Sequence, residues 1–188
     1  MSPRRGLTLT EIVDATAGIA DREGLSQLSI GAVAKELNIK PPSLYNHVSG
    51  LTELQDLLAV HGCRSLSEKL QNASVNFSKE EALKRLCYDY IKFATLHPGQ
   101  YEAASRPASD ENTELRAAQE KVVEVVRDFF YQFGLEEERS VHLIRMLRSM
   151  LHGFVTLEAA RGFGLPYDLQ DTLDVMIETF IIGIKKRK

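Results

Sequence analysis

Apolar residues recur along most of this chain at the three-to-four-residue spacing of an amphipathic helix. The first such face comprises Leu9, Ile12, Val13, Thr16, Ile19 and Ala20. Alternating apolar and polar runs bounded by turn residues, which would indicate strands, are missing from the sequence. The pattern therefore predicts an all-α fold of about nine helices.

Local signals mark where the first two helices begin and end. The spacing of Thr8 and Glu11 is that of a capping box, in which a hydroxyl and a carboxylate satisfy free backbone N–H groups. Gly24 suits the position just after this helix, and Ser29 suits the N-cap of the next. Asn38 then stands where the chain needs left-handed backbone angles, which Asn tolerates well. These signals predict a short second helix followed by a tight turn.

A third helix is predicted directly after that turn. Pro41 and Pro42 are suited to a first helical turn, where the missing N–H groups have no partner within the helix. Leu44 and Val48, four residues apart, are expected to point inward, which leaves a polar outer face. A helix, a turn and a second helix of this kind form a helix-turn-helix, whose second helix can enter a DNA major groove. The alternative is that this face is merely solvated.

The remainder of the chain shows longer helical segments. They are predicted at about 51–70, 79–97, 100–105, 113–133, 140–162 and 169–184. No internal repeat or low-complexity segment is visible. We therefore expect a helix-turn-helix DNA-binding domain at residues 1–50 and a second helical domain at residues 51–188.

The last two helices carry apolar arcs wider than the roughly 100° that covers a single core. In the first of them, Leu143, Met146, Met150 and Leu157 form a second stripe beside a main one. Wide arcs indicate burial on two sides, most simply a four-helix interface between two copies of the chain. A helix hairpin buried within one subunit is the alternative. The predicted interface residues are Leu147, Leu151, Phe154, Val155, Ile177, Phe180, Ile181 and Ile184.

Composition narrows the class of protein further. The chain has 188 residues, 44% of them hydrophobic, and a formal net charge of −3, so any nucleic-acid site must be a local patch. Cys63 and Cys87 stand apart in apolar surroundings, which is typical of buried thiols in a reducing compartment. No signal peptide is visible, and no run approaches the roughly 18 apolar residues of a membrane span. We expect a soluble, cytoplasmic protein without a membrane partner.

The segment LSIGAVAKELNIKPPSLYNHVSGLTEL, residues 28–54, resembles the DNA-binding region of TetR-family transcriptional regulators. The resemblance implies double-stranded DNA and a homodimer as partners. It also implies that the two copies read half-sites about one helical turn apart in a palindromic operator. By position, base or nearby backbone contacts fall on Lys40, Pro42, Ser43 and Asn46, and phosphate contacts fall on Thr8, Tyr45 and His47.

One departure from the family pattern concerns charge. The pattern has Lys at the start of the fourth helix, where this chain has Leu51. Residues 1–50 hold five basic and five acidic side chains, so their formal charge is 5 − 5 = 0. Because phosphate neutralisation supplies much of DNA affinity, we expect moderate binding that depends on dimerisation and on Arg4 and Arg5.

The resemblance further implies that residues 51–188 form a helical regulatory domain for ligand binding and dimerisation, and that its ligand is a small-molecule inducer of unknown identity. An apolar cavity between the long helices would be lined by Tyr90, Phe93, Tyr101, Phe129, Met146 and Met150, with His61 or His97 as polar anchors. His152 and Gly153 match part of a Trp-His-Gly signature that names one C-terminal subtype of the family, although the chain contains no Trp. We expect His152 to be packed and Gly153 to allow close helix contact.

Other classes of protein fit the sequence less well. An enzyme would need a converging nucleophile and base, or ligands at metal spacing; neither is found, and no cofactor is expected. A metal-responsive regulator and a helical adaptor that does not bind DNA remain alternatives. The prediction is a ligand-responsive DNA-binding regulator, most simply a repressor that an inducer releases from its operator.

Overall fold

The computed structural model describes residues 6–73 and 77–185, and Arg4 and Arg5 lie outside this described part. Within it the chain is helical and contains no strand, as predicted. The helices are α1 Leu9–Glu23, α2 Ile30–Glu36, α3 Pro41–Leu44, α4 Leu51–Asn72, α5 Lys79–Leu96, α6 Pro98–Ser105, α7 Thr113–Gln132, α8 Glu137–Ala159 and α9 Leu169–Lys185, with a 3₁₀ turn at Leu25–Gln27. No helix of the described residues is long and apolar enough to cross a membrane.

The predicted boundaries of the first two helices are confirmed in atomic detail. The Thr8 hydroxyl accepts the Glu11 N–H at 3.2 Å, and the Glu11 carboxylate accepts the Thr8 N–H at 2.8 Å, which completes the capping box. Gly24 follows α1 with a φ of +88°, which an L side chain rarely adopts. The Ser29 hydroxyl accepts the Ala32 N–H at 3.1 Å and so caps α2. These ends are therefore determined by local chemistry.

The chain forms two compact units. The first contains residues 6–65 and 96–119, and the second contains the described parts of 66–95 and 120–188. The sequence predicted a functional boundary at residue 50, between a DNA-binding domain and a regulatory domain. The two compact units divide the chain at other positions and carry no functional assignment. The predicted division stays a prediction.

The first unit has its core between α1, α2, α4 and α6. Ile12, Ile19 and Leu58 are fully or almost fully buried in it. Cys63 is also buried, and its thiol lies 3.7 Å from the Ala104 carbonyl oxygen. Apolar burial of this kind is the main stabilising contribution to such a small unit.

The second unit has its core between α5, α7, α8 and α9. Phe130 of α7 and Phe180 of α9 pack with their ring centroids 6.2 Å apart. Cys87 is fully buried, and burial raises the pKa of its thiol to about 12. Both cysteines are therefore buried thiols, as predicted. At the margin of the core, the Tyr88 hydroxyl donates to the Asp174 carboxylate at 2.7 Å and joins α5 to α9.

Candidate nucleic-acid interface

The turn between α2 and α3 is a tight helix-ending motif centred on Asn38. Asn38 has a φ of +52°, and its N–H donates to the Lys35 carbonyl at 3.1 Å. The Ile39 N–H donates to the Ala34 carbonyl at 2.9 Å, which gives the pair of hydrogen bonds of a Schellman motif. This motif fixes the direction in which the chain enters α3.

The α3 segment is short and is held by two side chains. Pro41 and Pro42 occupy its first positions, and its regular helical part ends at Leu44, with turns through His47. Leu44 and Val48 are 0% and 2% exposed, as the sequence predicted. With these two anchors buried, the rest of the segment projects as a fixed outer face.

The outer face of α3 carries the residues predicted to contact DNA bases and backbone. All of them are exposed: Lys40, Pro42, Ser43, Tyr45, Asn46 and His47. Tyr45 is the largest, and 58% of its surface is exposed although its ring is mostly apolar. These six residues are therefore neighbours in the chain and all accessible from solvent, as contact with a DNA groove requires.

Thr8, the remaining residue predicted to contact DNA, differs from these six because its hydroxyl is already hydrogen-bonded within the chain. The hydroxyl donates to the Glu11 carboxylate at 2.9 Å while accepting the Glu11 N–H. The capping box therefore uses the proton that a phosphate contact would need. The predicted phosphate contact of Thr8 would require this hydrogen bond to break.

The beginning of α4 contains a feature that the sequence reading missed. The Glu53 carboxylate accepts the Ser49 N–H at 2.6 Å, and hydrogen bonds from Ser49 lower the pKa of Glu53. This carboxylate stabilises the bend between α3 and α4. Leu51 beside it is 37% exposed. Glu53 is the third residue of α4, a position from which Glu often accepts a backbone N–H just before the helix, and this position could have identified the contact.

The residues predicted to line an inducer cavity differ in how far they are buried, and the cavity itself stays a prediction. Four aromatic side chains are buried, namely Tyr90, Phe93 and Phe129 in the second unit and Tyr101 in the first. His61 is half-buried on α4, and His97 lies 3.1 Å from the Asp21 carboxylate. Met146 is 51% exposed and Met150 is half-buried, both on α8.

Met146 and Met150 line a surface groove between α8 and α9 with a volume of about 1000 Å³. Its apolar lining is Leu143, Met146, Met150, Met176, Phe180 and Ile184, and its other lining residues are Glu136, Glu138, Arg139, His142, Thr179 and Gly183. Leu143, Met146 and Met150 belong to the second apolar stripe of α8. This stripe is consequently open to solvent in the isolated chain.

The predicted dimer-interface residues are all buried within the single chain. Their exposure is between 1% and 8% for Leu147, Leu151, Phe154, Val155, Ile177, Phe180, Ile181 and Ile184. These eight side chains pack in the core of the second unit and have little surface left for a partner. Their role in a dimer interface stays a prediction. The large apolar residues that α8 and α9 leave exposed are Val141, Met146, Leu157, Val175 and Ile182.

Two smaller expectations about α8 can also be placed. His152 is exposed, so the expectation that it is packed was wrong. A methyl group at Gly153 would meet no heavy atom of the described residues within 4 Å. Among residues 6–73 and 77–185, no three His, Cys, Asp or Glu side chains are grouped as metal ligands would be.

Comparison with known proteins identifies the family. Residues 83–180 match the family described as "Tetracyclin repressor-like, C-terminal domain". The chain is 38% identical over 185 residues to the uncharacterized HTH-type transcriptional regulator YobS of Bacillus subtilis, with 98% of this chain and 96% of the relative covered. The chain belongs to the TetR family of transcriptional regulators. This confirms the family suggested by residues 28–54 and the prediction of a DNA-binding regulator rather than an enzyme.

Solved structures of other proteins share the fold of this TetR-family chain. A protein of unknown function from Rhodococcus sp. RHA1 superposes with a TM-score of 0.81 at 17% identity, over 97% of this chain and 98% of that one. A TetR variant from Acinetobacter baumannii AYE in complex with minocycline gives a TM-score of 0.70 at 18% identity, over 96% and 97%. At these identities the likeness shows the fold. The Trp-His-Gly subtype stays a prediction.

Proposed function

We propose that this TetR-family chain is a cytoplasmic repressor that binds a palindromic operator as a homodimer and leaves it when a small organic inducer binds. The observation that carries the proposal is the α3 surface, where six exposed side chains project from a segment anchored by Leu44 and Val48. Family membership supplies the DNA-binding activity. Palindromic recognition and inducer release are the proposed parts.

The exposed apolar faces of α8 and α9 support the homodimer. Met146 and Leu157 on α8, and Val175 and Ile182 on α9, are between 48% and 65% exposed. Gly153 and Gly183 lie inside these helices, where Gly costs about 1 kcal/mol relative to Ala. A methyl group at either would meet no described atom within 4 Å. Close approach of a second copy to these faces would bury the apolar groups and give the two glycines a role.

The polarity of the α3 surface supports separate roles for its residues. Lys40 and Ser43 can donate hydrogen bonds to base edges, whereas Tyr45 and His47 are placed to contact the backbone in the family pattern. Contacts to phosphates contribute affinity for every sequence, and contacts to bases contribute discrimination. The two groups should therefore respond differently to substitution.

The proposal is tested by selecting DNA that the protein binds from a random pool, followed by footprinting and gel shift. We expect a two-fold symmetric site, and affinity that falls steeply as salt is raised. Tyr45→Ala and His47→Ala should weaken binding to all sequences, whereas Lys40→Ala and Ser43→Ala should alter preference at one or two base pairs by about 1–3 kcal/mol.

Gln27→Ala is a suitable control, since Gln27 is exposed in the 3₁₀ turn and lies outside the α3 surface. Selection of no symmetric sequence, or binding that salt leaves unchanged, would contradict the proposal. The inducer is sought with a panel of small organic compounds in the gel shift. A compound that raises the unfolding temperature of the protein and releases it from the DNA would support the proposal.

A further inference from the structure

Helix α6 lacks an N-terminal cap of its own. Its N-cap residue, His97, makes no side-chain capping hydrogen bond, and Pro98 follows at the first helical position. Asp21 of α1 supplies the cap instead: one carboxylate oxygen accepts the Gln100 N–H at 3.0 Å. The other accepts the Gln100 side-chain amide at 2.7 Å and lies 3.1 Å from Nδ1 of His97. A single carboxylate thus contacts three groups of the α6 segment.

Asp21 is unfavourably placed for its own helix. It lies in the last turn of α1, which ends at Glu23, and a negative charge near a helix C-terminus is disfavoured by the helix dipole. The same charge is favourable at the N-terminus of α6. Only 15% of the Asp21 side chain is exposed. The carboxylate at this position is therefore explained by its hydrogen bonds to α6 and not by any stabilisation of α1.

The first turn of α6 packs closely against both α1 and α4. A Cβ at Gly99 would lie 2.2 Å from the backbone carbonyl carbon of Ala20 in α1. On the other side, a Cβ at Gly62 of α4 would lie 2.6 Å from the Gln100 carbonyl oxygen. Backbone lies against backbone at both contacts, so a shift of α6 towards either helix is opposed by atoms that cannot rotate away.

The helix that Asp21 belongs to is itself bound to the helix-turn-helix. Ile12, Ile19 and Val33 are buried in the core shared by α1 and α2. Arg22, the neighbour of Asp21, pairs with Glu36 of α2 at 3.0 Å. A force applied to the end of α1 is therefore transmitted to α2 and, through the Asn38 turn, to α3. The only covalent connection from α3 onward to α4 is the segment 48–50.

We propose that Asp21 is a positioning residue that fixes the DNA-binding segment on α6, so that the two α3 surfaces of the homodimer keep one separation. The inference rests on the proposed function. Without the Asp21 cap, α1 and α6 would keep their apolar and backbone packing but lose the polar contacts that hold one end of α1 on α6, so residues 8–47 would turn more readily about the connection at 48–50. Each copy would then still bind a half-site, but the dimer would favour one spacing between half-sites less strongly.

The experiment uses the full-length dimer and the operator selected by the wild-type protein. Affinity is measured for that operator, for versions with two base pairs added or removed at its centre, and for a duplex holding one half-site. The variants are Asp21→Ala and Asp21→Asn. Asp14→Ala is the matched control, because Asp14 is exposed on the same helix and its loss changes the charge equally. Thermal unfolding shows that each variant is folded.

We expect the wild type and Asp14→Ala to bind the matched spacing at least tenfold more tightly than the altered ones. Asp21→Ala should reduce this ratio by roughly tenfold, the order expected for lost hydrogen bonds to a charged group, and Asp21→Asn by less. Half-site affinity should stay within about twofold of wild type for all variants. A merely structural role for Asp21 would instead lower half-site and full-site affinity together.

The outcomes separate the two proposals. If the wild type selects no sequence with two half-sites, the proposed function fails. If the wild type shows the spacing preference and Asp21→Ala retains it, or loses half-site binding in parallel, the proposed function stands and the positioning role of Asp21 is refuted.

Discussion

Asn38 shows how one residue can determine the geometry of the α3 surface. Its φ of +52° turns the chain sharply between α2 and α3, and Asn accepts this angle at lower cost than most residues with a side chain. The backbone hydrogen bonds around it depend on that angle. The turn could be predicted from the sequence because the constraint acts within a few residues.

Replacing Asn38 by Ala should lower the free energy of unfolding by about 1 kcal/mol, because Ala pays more than Asn in the left-handed region. Asn38→Gly should leave it unchanged or raise it slightly. Asn46→Ala is the control, since Asn46 is exposed and does not have a positive φ. Urea unfolding measures the three variants, and equal losses for Ala and Gly at position 38 would contradict the explanation.

At the scale of elements, α5 and α9 are joined at the edge of their core by polar contacts. Tyr88 donates to Asp174 at 2.7 Å, and Lys84 pairs with Glu178 at 3.0 Å. Burial, together with the hydrogen bond to Asp174 and its charge, raises the pKa of Tyr88 to about 12. The neutral hydroxyl is therefore favoured in the folded chain.

The stability that the Tyr88–Asp174 contact contributes is lost at alkaline pH. Tyr88 titrates near 10 when unfolded and about 12 when folded, so its contribution is complete below pH 10 and is lost as pH rises from 10 to 12. Tyr88→Phe should cost about 1 kcal/mol at pH 8 and flatten the decline above pH 10. Tyr167→Phe, at a residue 77% exposed, should do neither. Unfolding curves across pH 8–12 measure the difference, and parallel declines for wild type and Tyr88→Phe would contradict it.

At the scale of the molecule, α8 and α9 expose apolar surface that a monomer would leave in water and a dimer would bury. The apolar lining of the α8–α9 groove, and the exposed Leu157, Val175 and Ile182 of the same two helices, would remain in water in a monomer. Large exposed apolar surface marks interaction sites in soluble proteins. We therefore place the proposed homodimer contact on these faces, beside the buried stripes that the sequence pattern had favoured.

Ile182→Glu should dissociate the homodimer while leaving the single chain folded. Ile182 is 50% exposed in the chain, so a carboxylate there can stay hydrated until a partner covers it. Burying it without a partner charge should cost about 3 kcal/mol, roughly a hundredfold in the dimer Kd. Val123→Glu, at an apolar position of α7 that is 39% exposed and lies on neither α8 nor α9, is the control. Sedimentation measures the mass, and a dimer unaffected by Ile182→Glu would remove these faces from the interface.

The sequence by itself determined the helices, the caps of α1 and α2, the Asn38 turn and the exposed face anchored by Leu44 and Val48. Each of these depends on interactions within about one helical turn, which a periodic pattern records. Only the tertiary structure decided which of two adjacent stripes on α8 becomes core, because Leu147 and Met146 are both apolar and only packing within the second unit leaves Leu147 3% and Met146 51% exposed. It also decided the partner of Asp21, since Gln100 lies 79 residues away. A contact at that separation arises when α6 packs on α1, and no local pattern specifies it.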